Sequence, residues 1–100
     1  MHARMSTMQM DPERIDETAS NLEERDIPEF KKLDGFRGLT LFTDRASGKT
    51  FVITYWDSKD QMDASEESVK DARRRAAETG GVKEEPQVER FEVALDTFVR

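Results

Sequence analysis

Few side chains in this chain are equipped for chemistry. There is no cysteine and one histidine, His2. A thiol nucleophile, a disulfide framework and a cysteine–zinc or iron–sulfur site are therefore excluded, and a Ser-His-Asp triad or histidine-rich metal site lacks its parts. The Glu66-Glu67 and Glu84-Glu85 doublets read as solvated acids. Gly48-Lys49-Thr50 has the ending of a phosphate loop, but the upstream glycine is missing and a strand follows it, not a helix. What remains is an aromatic pair closing the most β-prone run, Phe51-Val52-Ile53-Thr54-Tyr55-Trp56. Trp56 either stacks on a flat ligand or fills the core. Tyr55 alternates with it and leaves the opposite face of the strand. Met5, Met8 and Met10 offer a soft apolar wall or ordinary core filling.

These residues sit in a chain of 100 residues, 35% hydrophobic and 38% charged, with net charge -6. The length fits one domain spanning residues 1–100, with a thin core. Disorder competes at this polarity, but the apolar residues are clustered and periodic. The acidic balance argues against a nucleic-acid partner, because phosphates need a basic face. Arg73-Arg74-Arg75 is the local exception and reads as a solvated helix end. No apolar run approaches the ~20 residues that cross a bilayer, and no signal peptide is visible. No membrane partner and a cytoplasmic location are expected.

The elements that must carry these residues follow from local signals. His2 to Met10 reads as a strand, with Ala3, Met5 and Thr7 on one face and Arg4, Ser6, Met8 and Met10 on the other. Asp11-Pro12-Glu13 starts a helix: a cap, a proline suited to the first position and an acid at the positive end of the dipole. Ile15, Ala19 and Leu22 form one apolar stripe, and Ile27, Phe30 and Leu33 another. Pro28 lies between the stripes, so a kink or restart is expected near Asp26. Gly35 ends the helical region. Phe36–Thr43 and Thr50–Asp57 read as a hairpin around a polar turn. Ser58-Lys59-Asp60-Gln61 is a capping box, and Ser65 is a candidate cap for a second helical piece. Met62, Val69, Ala72 and Ala76 mark a narrow stripe that ends before Gly80-Gly81. A last strand is expected over Val88 to Phe98.

The order β-α-β-β-α-β predicts an α+β, ferredoxin-like sandwich with both helices on one face of a four-stranded antiparallel sheet. The other face then exposes either the Val52, Thr54, Trp56 set or the Phe51, Ile53, Tyr55 set, depending on register. Either is too apolar to leave in water. A second copy, sheet against sheet, is the economical cover, so a homodimer is expected.

Asp34-Gly35-Phe36-Arg37-Gly38, the hairpin, and Val52-Ile53-Thr54-Tyr55-Trp56-Asp57-Ser58 leading into an acidic helix resemble the antibiotic biosynthesis monooxygenase-like family of dimeric α/β barrels. The likeness covers nearly the whole chain. It implies a homodimer with a pocket between sheet and helices in each subunit, open to a small hydrophobic or aromatic molecule. Trp56 matches the strand-end Trp that lines the pocket in characterised members. Haem-degrading members resemble one another in an Asn-Trp-His set. Here the only Asn is Asn21, in the first helix, and Asp71 and Arg73 stand near the expected histidine position, so haem degradation is disfavoured. The resemblance instead suggests oxidation of a small aromatic substrate without a cofactor. Such chemistry needs a group that deprotonates the substrate or stabilises its anion. Tyr55, Arg37, Arg4, Ser6, Thr54 and Asp57 are the candidates. The catalytic assignment falls on Trp56 and Tyr55, and the substrate contacts on Trp56, Thr54, Ser6, Met8 and Phe42. No cofactor and no metal are expected. The alternative is a non-catalytic barrel that binds a small ligand or regulates a partner.

Overall fold

The computed structural model describes residues 1–97. Its strands are β1 (His2–Gln9), β2 (Phe36–Thr43), β3 (Lys49–Trp56) and β4 (Gln87–Glu92). They form one sheet in the order β2-β3-β1-β4, antiparallel throughout. The helical segments α1 (Ile15–Asn21), α2 (Ile27–Phe30), α3 (Lys59–Ala64) and α4 (Glu66–Thr79) cover one face. This is the predicted ferredoxin-like arrangement.

The register decides which strand residues meet the helices. Arg4 lies opposite Thr54, Ser6 opposite Val52 and Met8 opposite Thr50, while Thr54 also faces Leu39 on β2. Directly opposed residues project from the same side of a sheet. Arg4, Ser6, Met8, Thr50, Thr54 and Trp56 are all buried under the helices. One core cluster joins Phe30, Trp56, Met62, Val69 and Ala72, and a second joins Met8, Met10, Ile15 and Ala76. The far face carries Met5 and Thr7 of β1, Phe51, Ile53 and Tyr55 of β3, and Phe42 of β2. Of the two face sets the sequence left open, the exposed one is therefore Phe51, Ile53 and Tyr55.

The first helical region follows its signals. The Asp11 side chain accepts from the Glu13 amide at 3.0 Å, and a 3-10 turn at Pro12–Arg14 leads into α1. The discontinuity expected near Asp26 is a π turn over Leu22–Asp26, in which the Ile27 amide donates to the Leu22 carbonyl, five residues back. Pro28 explains it. In a regular helix its ring would collide with the carbonyl four residues earlier, and one wider turn moves that carbonyl aside. The same turn buries Asp26, whose carboxylate receives Arg75 of α4 at 2.8 Å and Arg25 at 3.3 Å.

Two expectations are corrected. Ser65 marks the break between α3 and α4 but gives no side-chain cap. Its hydroxyl instead donates back to the Met62 carbonyl at 2.6 Å. Strand β4 stops at Glu92, well short of Phe98, which lies outside the described residues. Among the described residues its one partner is β1, and His2 opposite Glu92 is the last pair of that ladder. The cap at Ser58 forms as predicted, its Oγ accepting from the Gln61 amide at 3.2 Å, but the Gln61 side chain that was to reach back to the Ser58 amide instead accepts from the Ser58 hydroxyl at 3.1 Å. Among the described residues no helix is long and apolar enough to cross a membrane.

Candidate active site

The strand alternation and the docking of α4 leave a narrow cavity between sheet and helices. Its floor is Arg4, Ser6 and Met8 of β1 with Val52 and Thr54 of β3. Leu22, Phe30, Val69, Ala72 and Arg73 lie over it. The free volume is about 20 Å³, enough for one molecule the size of water or dioxygen. Arg73 also lines a second, open space of about 420 Å³ between α4 and the segment from Val82 to Val88.

The structure brings five of the expected residues to this side of the sheet. Arg4, Ser6, Met8 and Thr54 line the cavity itself. Trp56 does not: it is 0% exposed, its ring stands edge-on to Phe36 with centroids 5.3 Å apart, and its indole N–H donates to Thr54 Oγ1 at 3.0 Å. Trp56 thus closes the core beside the cavity and orients one of its polar walls. Tyr55 and Phe42 project from the opposite face, Phe42 being 51% exposed, so neither shares a pocket with Thr54. The period of two along a strand enforces that separation. Arg37 and Asp57 pair with each other at 3.5 Å on the surface, where a register irregularity between Phe36 and Gly38 turns Arg37 outward.

The polar centre of the site is an arginine cluster. Arg4 is 1% exposed. Its guanidinium donates to the Met62 carbonyl at 2.6 Å and to Ser65 Oγ at 3.2 Å, and it approaches Glu66 Oε2 at 2.9 Å. Arg90 of β4 reaches the same oxygen at 2.9 Å, and Arg73 reaches Oε1 at 3.3 Å. Three cations therefore converge on one carboxylate. Burial pulls the pKa of both Arg4 and Arg73 below the usual arginine value; the Glu66 carboxylate opposes that shift. Both nevertheless remain cations at neutral pH, as guanidinium groups do. The Nε–H groups of Arg4 and Arg73 are buried and find no partner among the described residues.

The sequence pattern places the arginine triplet at a solvated helix end, and the structure corrects this. It lies inside α4 and its members diverge: Arg73 turns inward to Glu66, Arg74 pairs with Asp71 on the surface, and Arg75 reaches Asp26. Consecutive helical residues point about 100° apart, so divergence is required. The inward turn of Arg73 was legible in its position four residues after Val69 and between Ala72 and Ala76. Nothing local marked Glu66 or Arg90. Among the described residues no three acidic or histidine side chains are grouped to hold a metal ion.

Comparisons with known proteins agree with this architecture. A sequence model of the family described as antibiotic biosynthesis monooxygenase matches residues 1–79. An uncharacterized protein of Mycobacterium tuberculosis is 35% identical over 95 residues, which is 94% of this chain and 41% of that protein. The chain thus spans about two-fifths of the length of the curated relative it matches. A monooxygenase from the ActVA-Orf6 gene of Streptomyces coelicolor, solved with nanaomycin D, superposes with a TM-score of 0.77 at 11% identity, over 99% of this chain and 92% of that one. A heme-degrader of Mycobacterium tuberculosis, solved with two hemes in its active site, gives a TM-score of 0.72 at 19% identity, over 98% and 100%. At these identities the two structures share the fold.

Proposed function

Because the chain belongs to the antibiotic biosynthesis monooxygenase family, we propose that its sheet–helix cavity serves the cofactor-independent oxidation of a small aromatic substrate by dioxygen. The observation that carries this reading is the placement of two buried guanidinium side chains, Arg4 and Arg73, among the residues that line this small cavity, each with an Nε–H group that finds no partner among the described residues. In such an oxidation an activated ring methylene loses a proton, and the resulting anion transfers an electron to dioxygen. Carbon and oxygen then combine, and loss of one water leaves a carbonyl. One oxygen atom enters the product, and the other leaves as water with the two methylene hydrogens. Fixed cationic donors lower the energy of the substrate anion most effectively where water is excluded. Arg73 stands between the cavity and the outer groove, so a ring held in the groove has its oxygen anion against that guanidinium. Ser6 and Thr54 supply hydroxyls on the opposite wall. Trp56 acts through Thr54 in this reading, and Tyr55 has no part in it.

A second copy of the chain covers the apolar sheet face, with Phe51, Ile53 and Tyr55 at its centre. The homodimer is part of the same proposal.

The second reading is a non-catalytic ligand-binding barrel, favoured by the small cavity volume and by the complete packing of Trp56. Oxygen uptake separates the two. With an anthrone as substrate, the protein is expected to consume dioxygen above the buffer rate, and Arg73→Gln to lower kcat at least tenfold. No enzyme-dependent uptake with anthrones or quinols would leave the binding reading standing.

A further inference from the structure

We infer that the guanidinium cluster of Arg4, Arg73 and Arg90 is a binding site for a ligand carboxylate, and that Glu66 is a resident competitor occupying it in the free protein. The inference rests on the reading of the cavity as a ligand site and adds the charge class of the ligand.

The first support is the charge balance. Three guanidiniums surround one carboxylate, which leaves an excess of two positive charges. The next acid, Asp63, also acts on Arg4 and Arg90, but it is bonded to Lys59 at 2.9 Å, so that counting this pair as a whole leaves the excess unchanged. A buried ionic cluster that serves structure alone is expected to be neutral and fully hydrogen-bonded, since uncompensated buried charge is costly. Arg90 is solvated at 44% exposure, but Arg4 and Arg73, at 1% and 12%, are two buried cations against one half-exposed carboxylate. Around Asp26, which also has unpartnered buried atoms, both cations are by contrast well exposed. The Nε–H groups of Arg4 and Arg73 have no partner among the described residues, and Arg4 is almost completely buried.

The second support is the unequal anchoring of the partners. Arg4 is fixed by Met62 and Ser65 at the α3–α4 break, independently of Glu66. The Glu66 side chain retains 31% exposure and Arg90 44%, so the carboxylate lies on the solvent side of the cluster. It can leave without disturbing Arg4, and its departure frees Arg73 and Arg90, whose shared partner it is, to receive another carboxylate. A ligand carboxylate that reaches Arg73 from the outer groove meets planar donors suited to bidentate pairing. While Glu66 is in place, only a fraction of the protein is competent, and the apparent affinity falls by that fraction.

The test is a fluorescence titration of the full chain with 1-hydroxy-2-naphthoate, using 1-naphthol as the probe without a carboxylate. The naphthoate is expected to bind at least tenfold more tightly than the naphthol. Glu66→Gln should tighten the naphthoate at least tenfold and leave the naphthol unchanged, whereas Arg90→Gln should weaken the naphthoate severalfold. If Glu66→Gln does not fold, as judged by circular dichroism, Glu66→Asp replaces it. Its shorter side chain withdraws the carboxylate and should also tighten the naphthoate. Equal affinity for the two probes, no saturable binding, or naphthoate affinity unchanged or weakened by the Glu66 substitution overturns the inference. Anthrone oxidation in the absence of selective naphthoate binding removes this inference alone. Selective naphthoate binding without oxygen uptake removes only the oxidation reading.

Discussion

The indole N–H of Trp56 donates to Oγ1 of Thr54, two residues earlier on the same face of β3, at 3.0 Å. Trp56 contributes bulk to the core while Thr54 contributes a hydroxyl to the cavity wall. Trp56→Ala is expected to cost about 3–5 kcal/mol, the range for truncating a fully buried large aromatic, as read from urea unfolding. Trp56→Phe keeps most of the bulk and frees the Thr54 hydroxyl. A positioning role therefore predicts that Trp56→Phe changes KM or kcat in a folded protein. A variant with unaltered kinetics would reduce Trp56 to core filling.

The open sheet face predicts self-association. Ile53 lies at its centre, on a strand flanked by β1 and β2. Wild-type protein is expected to sediment as a dimer at micromolar concentration, with a melting temperature that rises with concentration. Ile53→Lys places a charge in the middle of the contact and should give a monomer. A wild-type protein that sediments as a monomer contradicts the proposed barrel.

Gly48 closes the β2–β3 hairpin at φ +83°, and its carbonyl accepts from the Met10 amide at 2.9 Å. A Cβ there would run into the Met10 carbonyl oxygen, which is backbone and cannot swing away. Gly48→Ala combines left-handed strain with this clash, and a loss of about 2 kcal/mol or more is expected in thermal or urea unfolding. Gly38→Ala is the control, since a Cβ at that position meets nothing within 4 Å, although its φ of +153° still carries strain. It should cost less.

Asp26 ties the π turn to α4 through Arg75. Asp26→Asn removes the charge-assisted part of that bond at a fully buried carboxylate. Arg75 and Arg25 are both partly exposed and regain water, so the loss should be moderate, about 2 kcal/mol. Hydrogen exchange should then increase in the turn over residues 22–26 before it does in the sheet. Uniform protection loss would mean that the turn has no local stability of its own.

Much of this architecture was legible in the chain. Asp11-Pro12 and Ser58–Gln61 are local capping arrangements, and in both the cap side chain accepts from the expected amide because its partner lies within three residues. Alternation put Arg4, Ser6 and Met8 on one side of β1 and separated Tyr55 from Trp56, because the side-chain period of a strand is fixed at two. Pro28 marked the disturbance beside Asp26, since its ring acts on the carbonyl one turn earlier. Ser65 misled for the same local reason: its sequence suits a cap, while a distant residue, Arg4, takes its hydroxyl as an acceptor.

The sequence alone determined the elements, their caps and the division of each strand into two faces, for these depend on bonds and sterics between near neighbours. Tertiary structure decided which face the helices cover, and with it that Thr54 lines a cavity while Tyr55 and Phe42 do not. It also assembled the charge cluster. Arg4, Glu66, Arg73 and Arg90 come from β1, α4 and β4, and they meet only because β4 returns beside β1 while α4 crosses above them. Strand order and helix docking bring residues far apart in the chain within hydrogen-bonding distance, and no spacing along the sequence encodes that distance.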